Sequence, residues 1–405
     1  MNQGIPFNRK TPPHILTLVA IAGLAALTMN IFLPSLPEMA RFFGADYAIM
    51  QFAVSGYLTV TAILQLVIGP ASDRYGRRPT LIACLLVYLA ATLLCIFATS
   101  LSVFMAGRIL QAAVVSGFVL SRAIVRDMVP MEEAASMIGY VTMGMTLVPM
   151  IGPTLGGYLN DLFSWQATFV TLLVLGVLVL IIAYLDLGET NKSRSESFGA
   201  QFAAWPKLIT SPRFWGYTLT ATFSSGAFFV FLGAGPFIGS VVLKLTPGEL
   251  GLQFFYITAG YMVGNFVSGR YAKRIGVANM MLGGGIIGTL GAALSMVLLA
   301  WGVDPTFAFF VPQAVVGFGN GMTLPSANAG IVSVKPDLAG SASGLAGAIT
   351  IGGGASFSVL ASALVTEQSG PWPVLNVMLI SGLLSMAAIL FVRFLGDAAN
   401  PGEDQ

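Results

Sequence analysis

The sequence predicts an all-α membrane protein: twelve transmembrane helices in two six-helix, pseudo-symmetric bundles. Three observations lead there. Hydrophobic residues make up 56% of the 405 and charged residues only 9%, against about a quarter charged in a soluble domain, so lipid has to solvate the surface. Runs of about 20 predominantly apolar residues, the length that crosses a bilayer, recur twelve times. One polar stretch, 187–212, divides them six and six.

The first six runs fall at about 15–37, 47–69, 79–99, 102–124, 134–158 and 165–186. The second six fall at about 213–235, 249–270, 277–301, 306–333, 339–364 and 373–395. The predicted domains are therefore an N-terminal bundle over 1–186, a cytoplasmic linker over 187–212, and a C-terminal bundle over 213–405 with a short cytoplasmic tail. Arg9 and Lys10 precede the first run as in a signal peptide. That run is long enough to span and has no small-residue cleavage site, so it reads as an uncleaved targeting signal. With the N-terminus inside, nearly every basic residue falls on the same side, and only Arg41 and Lys244 fall opposite. Basic loops mark the cytoplasmic face. The chain is expected to be multi-pass in the cytoplasmic (inner) membrane, with both termini cytoplasmic.

Composition excludes several functions. A net charge of +2 with no continuous basic patch argues against a nucleic-acid partner. The single histidine, His14, lies in the polar N-terminal tail, so neither a histidine metal site nor a histidine dyad is expected. Cys84 and Cys95 are eleven residues apart in one run, a rise of about 16 Å on a helix, beyond disulfide reach. They read as small core side chains. The spans hold no acid pair and no nucleophile beside a base, and no phosphate-binding glycine loop of the G-x-x-x-x-G-K-[ST] type is present. The expectation is a non-enzyme without cofactor or metal, driven by a gradient. Its expected partners are a small-molecule substrate, protons and membrane lipid, and it is expected to be a monomer.

Arg108 is the one charge deep inside a run, about six residues or roughly 9 Å from the outer end of the fourth. A charge in hydrocarbon costs about 3 kcal/mol or more and marks function by default. Gln111 lies one turn along on the same face, and Asn30 of the first run sits at a matching depth. Asn30, Arg108 and Gln111 are expected to form one polar cluster lining a cavity. The structural alternative is an arginine that only locks the bundle by bonding neighbouring carbonyls and amides. Further cavity candidates are Tyr57, Tyr256, Tyr261, Gln313 and Asn320. Phe228, Phe229 and Phe231 read more as lipid-facing bulk than as a stacking surface. The fifth run carries Gly144, Pro149, Gly152, Pro153, Gly156 and Gly157. Glycines allow close backbone approach and prolines bend a helix, so this run reads as a seam that opens and closes.

Between the second and third runs stands Gly69-Pro-Ala-Ser-Asp73-Arg74-Tyr-Gly76-Arg77-Arg78-Pro79, a charged loop at the membrane surface. Arg74-Tyr-Gly-Arg-Arg recurs 196 residues later as Arg270-Tyr-Ala-Lys-Arg274, a sign of duplication, with Gly269 standing where the first copy has Asp73. These residues resemble the major facilitator superfamily, and within it the twelve-helix drug/proton antiporters of the bicyclomycin- and chloramphenicol-resistance type. Gly69, Asp73, Arg74, Gly76, Arg77 and Arg78 match the superfamily's loop signature. Pro149, Gly152, Pro153, Gly156 and Gly157 are similar to the antiporter signature of the fifth helix. Arg108 matches the family's fourth-helix arginine, Arg122, Arg126 and Asp127 its helix-four ending, and Asn30 to Pro37 its helix-one ending. Three positions depart: Asn30 stands for the aspartate that titrates in the family, Ala112 for a glycine, and Gln166 for an arginine.

The resemblance implies a secondary active transporter that exports drug-like compounds or metabolites by alternating access, as a proton antiporter, with Asp73 and its neighbours at a cytoplasmic gate. Asparagine accepts hydrogen bonds but releases no proton. A second expectation therefore stands beside it: a uniporter or exchanger of anionic or zwitterionic metabolites centred on Arg108, without carboxylate-based coupling.

Overall fold

The computed structural model describes residues 12–128, 148, 151–191, 205–335 and 338–399, and these are almost entirely helical. Among them, ten helical segments are long and apolar enough to cross a membrane, from Ile15–Phe42 to Trp372–Phe394. A further helix, Pro247–Ile275, is 29 residues long. Gly144 and Pro149 lie outside the described residues, as does most of the run expected at 134–158. The chain divides into two compact units: Met1–Ala200 with Thr246–Leu252, and Gln201–Leu245 with Gln253–Gln405.

In the first unit, α1 (Ile15–Asn30) begins where the His14 ring accepts the Leu16 N–H at 3.2 Å. The expected unbroken run to residue 37 stops here. Pro34 and Pro37 carry no N–H to continue the ladder, so the chain turns through a 3-10 turn, Leu33–Ser35, into a short helix, Leu36–Phe42. Next come α2 (Phe52–Tyr75) and α3 (Arg77–Ile96). The fourth run is α4 (Leu101–Gln111), a 3-10 turn over Ala112–Val115, and α5 (Ser116–Met128). A helix over 151–162, α6, precedes α7 (Trp165–Asp186). Their apolar faces meet around Leu18, Ile21, Tyr88, Val115, Leu120 and Val179.

The charged stretch from Gly69 is not the loop expected. It is helical through Tyr75 and again from Arg77, leaving Gly76 alone between α2 and α3. A φ of +105° there suits glycine and strains other residues. Asp73 and Arg77 sit four apart and form an ion pair across this break.

The second unit holds α8 (Pro212–Phe237), α9 (Pro247–Ile275, whose first turn belongs to the first unit) and α10 (Val277–Ala300). It continues with α11 (Gln313–Ser333), α12 (Ala339–Leu364) and α13 (Trp372–Ala399). Burying apolar groups gives little drive between helices in lipid, so close backbone packing matters more. α11 supplies it on two sides. Side chains at Gly317 and Gly321 would overlap α9 carbonyls, and one at Gly319 would overlap the α10 backbone at Gly284 and Gly288. Phe228, Phe229 and Phe231 correct an expectation. Phe231 is fully buried against Phe254, Phe309 and Phe310, and Phe229 is 8% exposed. Only Phe228 is partly open, stacked on Tyr261.

Candidate functional site

Arg108 sits near the end of α4 and is 1% exposed. Its Nη1 donates to Gln111 Oε1 at 2.6 Å and its Nε to the Ala53 carbonyl of α2 at 3.3 Å. The Phe32 and Tyr57 rings both lie against the guanidinium, 4.1 and 4.5 Å from its carbon to the ring centroids. Cation–π contacts strengthen when desolvated, to about 2 kcal/mol. Gln111 Nε2 donates to Thr92 Oγ1 at 2.8 Å, tying α4 to α3. Among the described residues no carboxylate lies within ion-pair distance of Arg108, and its Nη2 has no hydrogen-bond partner. Rings and neutral acceptors solvate this cation, and one donor is left over.

The structure thus joins Tyr57, Arg108 and Gln111 and adds Phe32 and Thr92. It does not join Asn30. That side chain is fully buried, but its Nδ2 turns back onto its own helix, to Ala26 O at 2.9 Å, and its Oδ1 is unpartnered. Its Cβ faces Gly152 of α6. Gly152 and Gly156 press on α1 between Leu27 and Ile31, close enough that a methyl at Gly156 would overlap the Ile31 carbonyl, and Gly157 abuts Pro247. Gly251 packs on the backbone of Pro153 and Thr154, where Thr154 Oγ1 donates to the Gly251 carbonyl at 3.0 Å. In the second unit Asn320 Oδ1 accepts from Ser224 Oγ at 2.6 Å. Gln313 Nε2 donates to Phe309 O at 2.9 Å and Ser295 Oγ at 3.4 Å. Tyr256 and Tyr261 are partly buried on α9.

A second cluster gathers the charged motif. Arg77 is 8% exposed; its Nη1 donates to Ser72 Oγ at 2.6 Å, its Nε pairs with Asp127 of α5 at 3.1 Å, and Asp73 completes the set. Glu189 was not singled out by the sequence. Its carboxylate accepts the N–H groups of Arg77 (3.0 Å) and Arg78 (3.4 Å). It thereby caps α3, where a carboxylate also complements the helix dipole. A Cβ at Gly76 would collide with that carboxylate. Thr190 Oγ1 donates to Asp127 at 3.1 Å and Asn191 Nδ2 to the Asp73 carbonyl at 2.9 Å. Asp186, 1% exposed, caps α1 by accepting Thr17 Oγ1 at 2.6 Å and the His14 N–H at 2.8 Å. Residues 186–191 thus staple α1, α3 and α5. Gly69 lies inside α2, Arg74 and Arg122 are exposed, and Arg126 lies on α5.

The repeat register also changes. Gly76 and Gly276 each have positive φ and each separate two consecutive helices. Equivalence therefore runs at 200 residues, which aligns Gly69 with Gly269 and puts Lys273 opposite Asp73 and Val277 opposite Arg77.

The sequence model of the Major Facilitator Superfamily matches residues 18–349 and 234–404. The chain belongs to that family. Its similarity extends to Multidrug resistance protein D of Escherichia coli (strain K12), 27% identical over 91% of this chain and 93% of that protein. The Chloramphenicol resistance protein of Pseudomonas aeruginosa is 30% identical over 75% of this chain and 73% of its own. These relatives are consistent with the drug/proton antiporter type that the motifs resemble. Among solved structures, a D-xylose-proton symporter superposes with a TM-score of 0.74 at 13% identity, over 93% of this chain and 96% of its own, a likeness of fold. The chain is a transporter of this superfamily and an integral membrane protein.

Proposed function

We propose that this chain exports small drug-like compounds or metabolites across the cytoplasmic membrane by alternating access, with Arg108 as counter-charge to an anionic or zwitterionic substrate. The proposal includes twelve spans in two six-helix halves, 1–186 and 213–405, joined by the linker 187–212, with both termini cytoplasmic and the chain working as a monomer. The observation that carries it is the uncompensated Arg108 guanidinium, buried between two rings with Nη2 unbonded. In a low-dielectric site its charge acts strongly on a substrate anion, and it repels cations. The Gly152–Gly157 seam, the charged Asp73–Arg78 motif and the drug-resistance names of the relatives support export.

A second reading, proton antiport, is favoured by the drug-efflux relatives. It would need an acid other than residue 30. Of the peripheral acids Asp127, Glu38 and Asp46, two are engaged elsewhere: Asp127 with Arg77 at 3.1 Å, and Glu38 Oε2 with Asn160 Nδ2 at 2.5 Å. The test uses everted vesicles holding a pH gradient, a pH-sensitive dye, and labelled anionic, zwitterionic, neutral and cationic antibiotics. Uptake of anionic or zwitterionic compounds without loss of the gradient is the expected result. Dissipation of the gradient by a transported compound establishes antiport. Efficient transport of a cationic dye, abolished by Arg108→Ala, removes the Arg108 reading.

A further inference from the structure

We propose that the second unit binds one structural water molecule at Asn320, inside its helix bundle. A cavity of about 20 Å³ lies between α8, α10, α11 and α13. It is lined by Ser224 of α8, Gly288 and Thr289 of α10, Asn320 of α11 and Ser385 of α13. The four polar side chains among them are each at least nine-tenths buried. A water requires about 10–15 Å³, so the cavity takes one and not two.

Asn320 points to the ligand. Its Oδ1 accepts from Ser224 Oγ at 2.6 Å, while its Nδ2 is buried with no acceptor. An amide donor stranded in a bundle core is costly. The hydroxyl hydrogens around it are already spent. Thr289 Oγ1 donates to the Gly285 carbonyl at 2.7 Å, and Ser385 Oγ to the Thr220 carbonyl at 3.2 Å. Each hydroxyl oxygen keeps lone pairs. The lining side chains thus offer one N–H and several acceptor oxygens. A water accepts from the first and donates to two of the others, the three bonds usual for a buried water. An anion would find a single donor, and a cation no carboxylate. Turning the amide over strands its oxygen instead, and a water donor satisfies that as well. The water ties together helices that apolar burial does little to hold in lipid. At the 202-residue offset that relates Gln313 to Gln111, Asn320 falls on Phe118, a ring packed against the apolar core of the first unit.

Gly288 provides the test. A Cβ there would lie 3.6 Å from the carbonyl oxygen of Val316, in ordinary contact, so alanine fits and fills the cavity. Glycine to alanine inside a helix ordinarily stabilises. Gly288→Ala should instead lower the melting temperature of the purified full chain by about 3 °C, because the methyl displaces the water and strands the Asn320 N–H. Gly288→Ser should recover most of that loss, its hydroxyl standing in for the water. In an Asn320→Leu background, which has no donor to strand, Gly288→Ala should raise the melting temperature. A cryo-electron microscopy map of the unaltered chain, at a resolution that shows other buried waters, should carry one peak within hydrogen-bond distance of the Asn320 amide and of the Thr289 or Ser385 hydroxyl. An empty cavity in that map overturns the proposal. So does a Gly288→Ala chain that melts at or above wild type, or a Gly288→Ser chain no more stable than Gly288→Ala.

Discussion

Among the described residues, two arginines are buried in the first unit, and they are satisfied in opposite ways. Arg77 has carboxylates at Asp73 and Asp127 and a hydroxyl at Ser72. Arg108 has two rings, an amide and a carbonyl, with one donor unused. A buried charge with opposite charges and hydrogen bonds around it is a structural fixture, destabilising when broken. A buried charge without them burdens stability, and that burden makes sense where an incoming group supplies the missing charge. On the reading proposed above, the first cluster locks the helices and the second recognises substrate.

The largest expected effect tests that assignment directly. Arg108→Met should lower transport by about a hundredfold, the loss of one or two charge-assisted bonds to substrate. Its melting temperature should not fall, because a neutral side chain of similar length removes the buried cation. Arg77→Met should do the reverse to stability, costing about 1–3 kcal/mol by leaving two carboxylates without their partner, less than a fully buried pair because Asp73 is 40% exposed. Melting curves of both purified variants, with transport measured in vesicles, check this. Should Arg108→Met melt well below wild type while Arg77→Met does not, the two roles are exchanged.

Next in size is a contrast between the inter-helix glycines. Gly76 (φ +105°) and Gly276 (φ +88°) share a backbone conformation. A Cβ at Gly76 meets the Glu189 carboxylate, whereas one at Gly276 meets nothing within 4 Å. Both alanine variants should lose about 1–2 kcal/mol to strain. Gly76→Ala should lose about 1 kcal/mol more by displacing the α3 cap. Equal losses by thermal melting would mean that Glu189 does not hold Arg77's helix.

These contacts explain what could be read in the sequence. The α7 boundaries follow from its apolar run, and Gly76 from its place between charged residues. The cap on α3 could not be read, because Glu189 lies 112 residues from Arg77 and no local pattern records so distant a contact. Arg108 and Gln111 were legible as a pair because residues three apart on one helix share a face. The partnership with Asn30 failed for another reason. α1 is apolar all round, so no polar stripe fixes its rotation, and depth alone said nothing of facing. Residue 30 turned toward Gly152, while Phe32, two residues on, reached Arg108.

A smaller effect separates two glutamines that occupy matching places in the halves. Gln111 donates to Thr92 on α3 and Gln313 to Ser295 on α10, in each case an earlier helix of the same half, an offset of 202–203 residues. Where the first half has Arg108, the same offset gives Phe310. Gln313→Leu should cost about 1 kcal/mol, the net of an ordinary hydrogen bond. Gln111→Leu should cost about 1 kcal/mol more and also reduce transport, because it strips the acceptor from Arg108 Nη1. Equal stabilities and equal transport would make Gln111 a plain cross-link.

The smallest expected effect reaches coupling. Asn30→Asp keeps the size of the side chain and leaves the contact with Gly152 in place, but adds a group that can release a proton. Its Oδ1 is already unpartnered, and the one bond lost is that from Nδ2 to the Ala26 carbonyl, which an ionised carboxylate cannot donate. Transport by the variant should gain a step in its pH profile that the wild type lacks, of at most about tenfold per pH unit for one titrating group. Residue 30 and Arg108 share no hydrogen bond, so the step reports whether a charge on α1 influences the guanidinium. A pH profile identical to wild type, in a variant that folds and transports, would mean that this position has no part in coupling. The search for a proton-bearing group would then move to the acids at the helix ends.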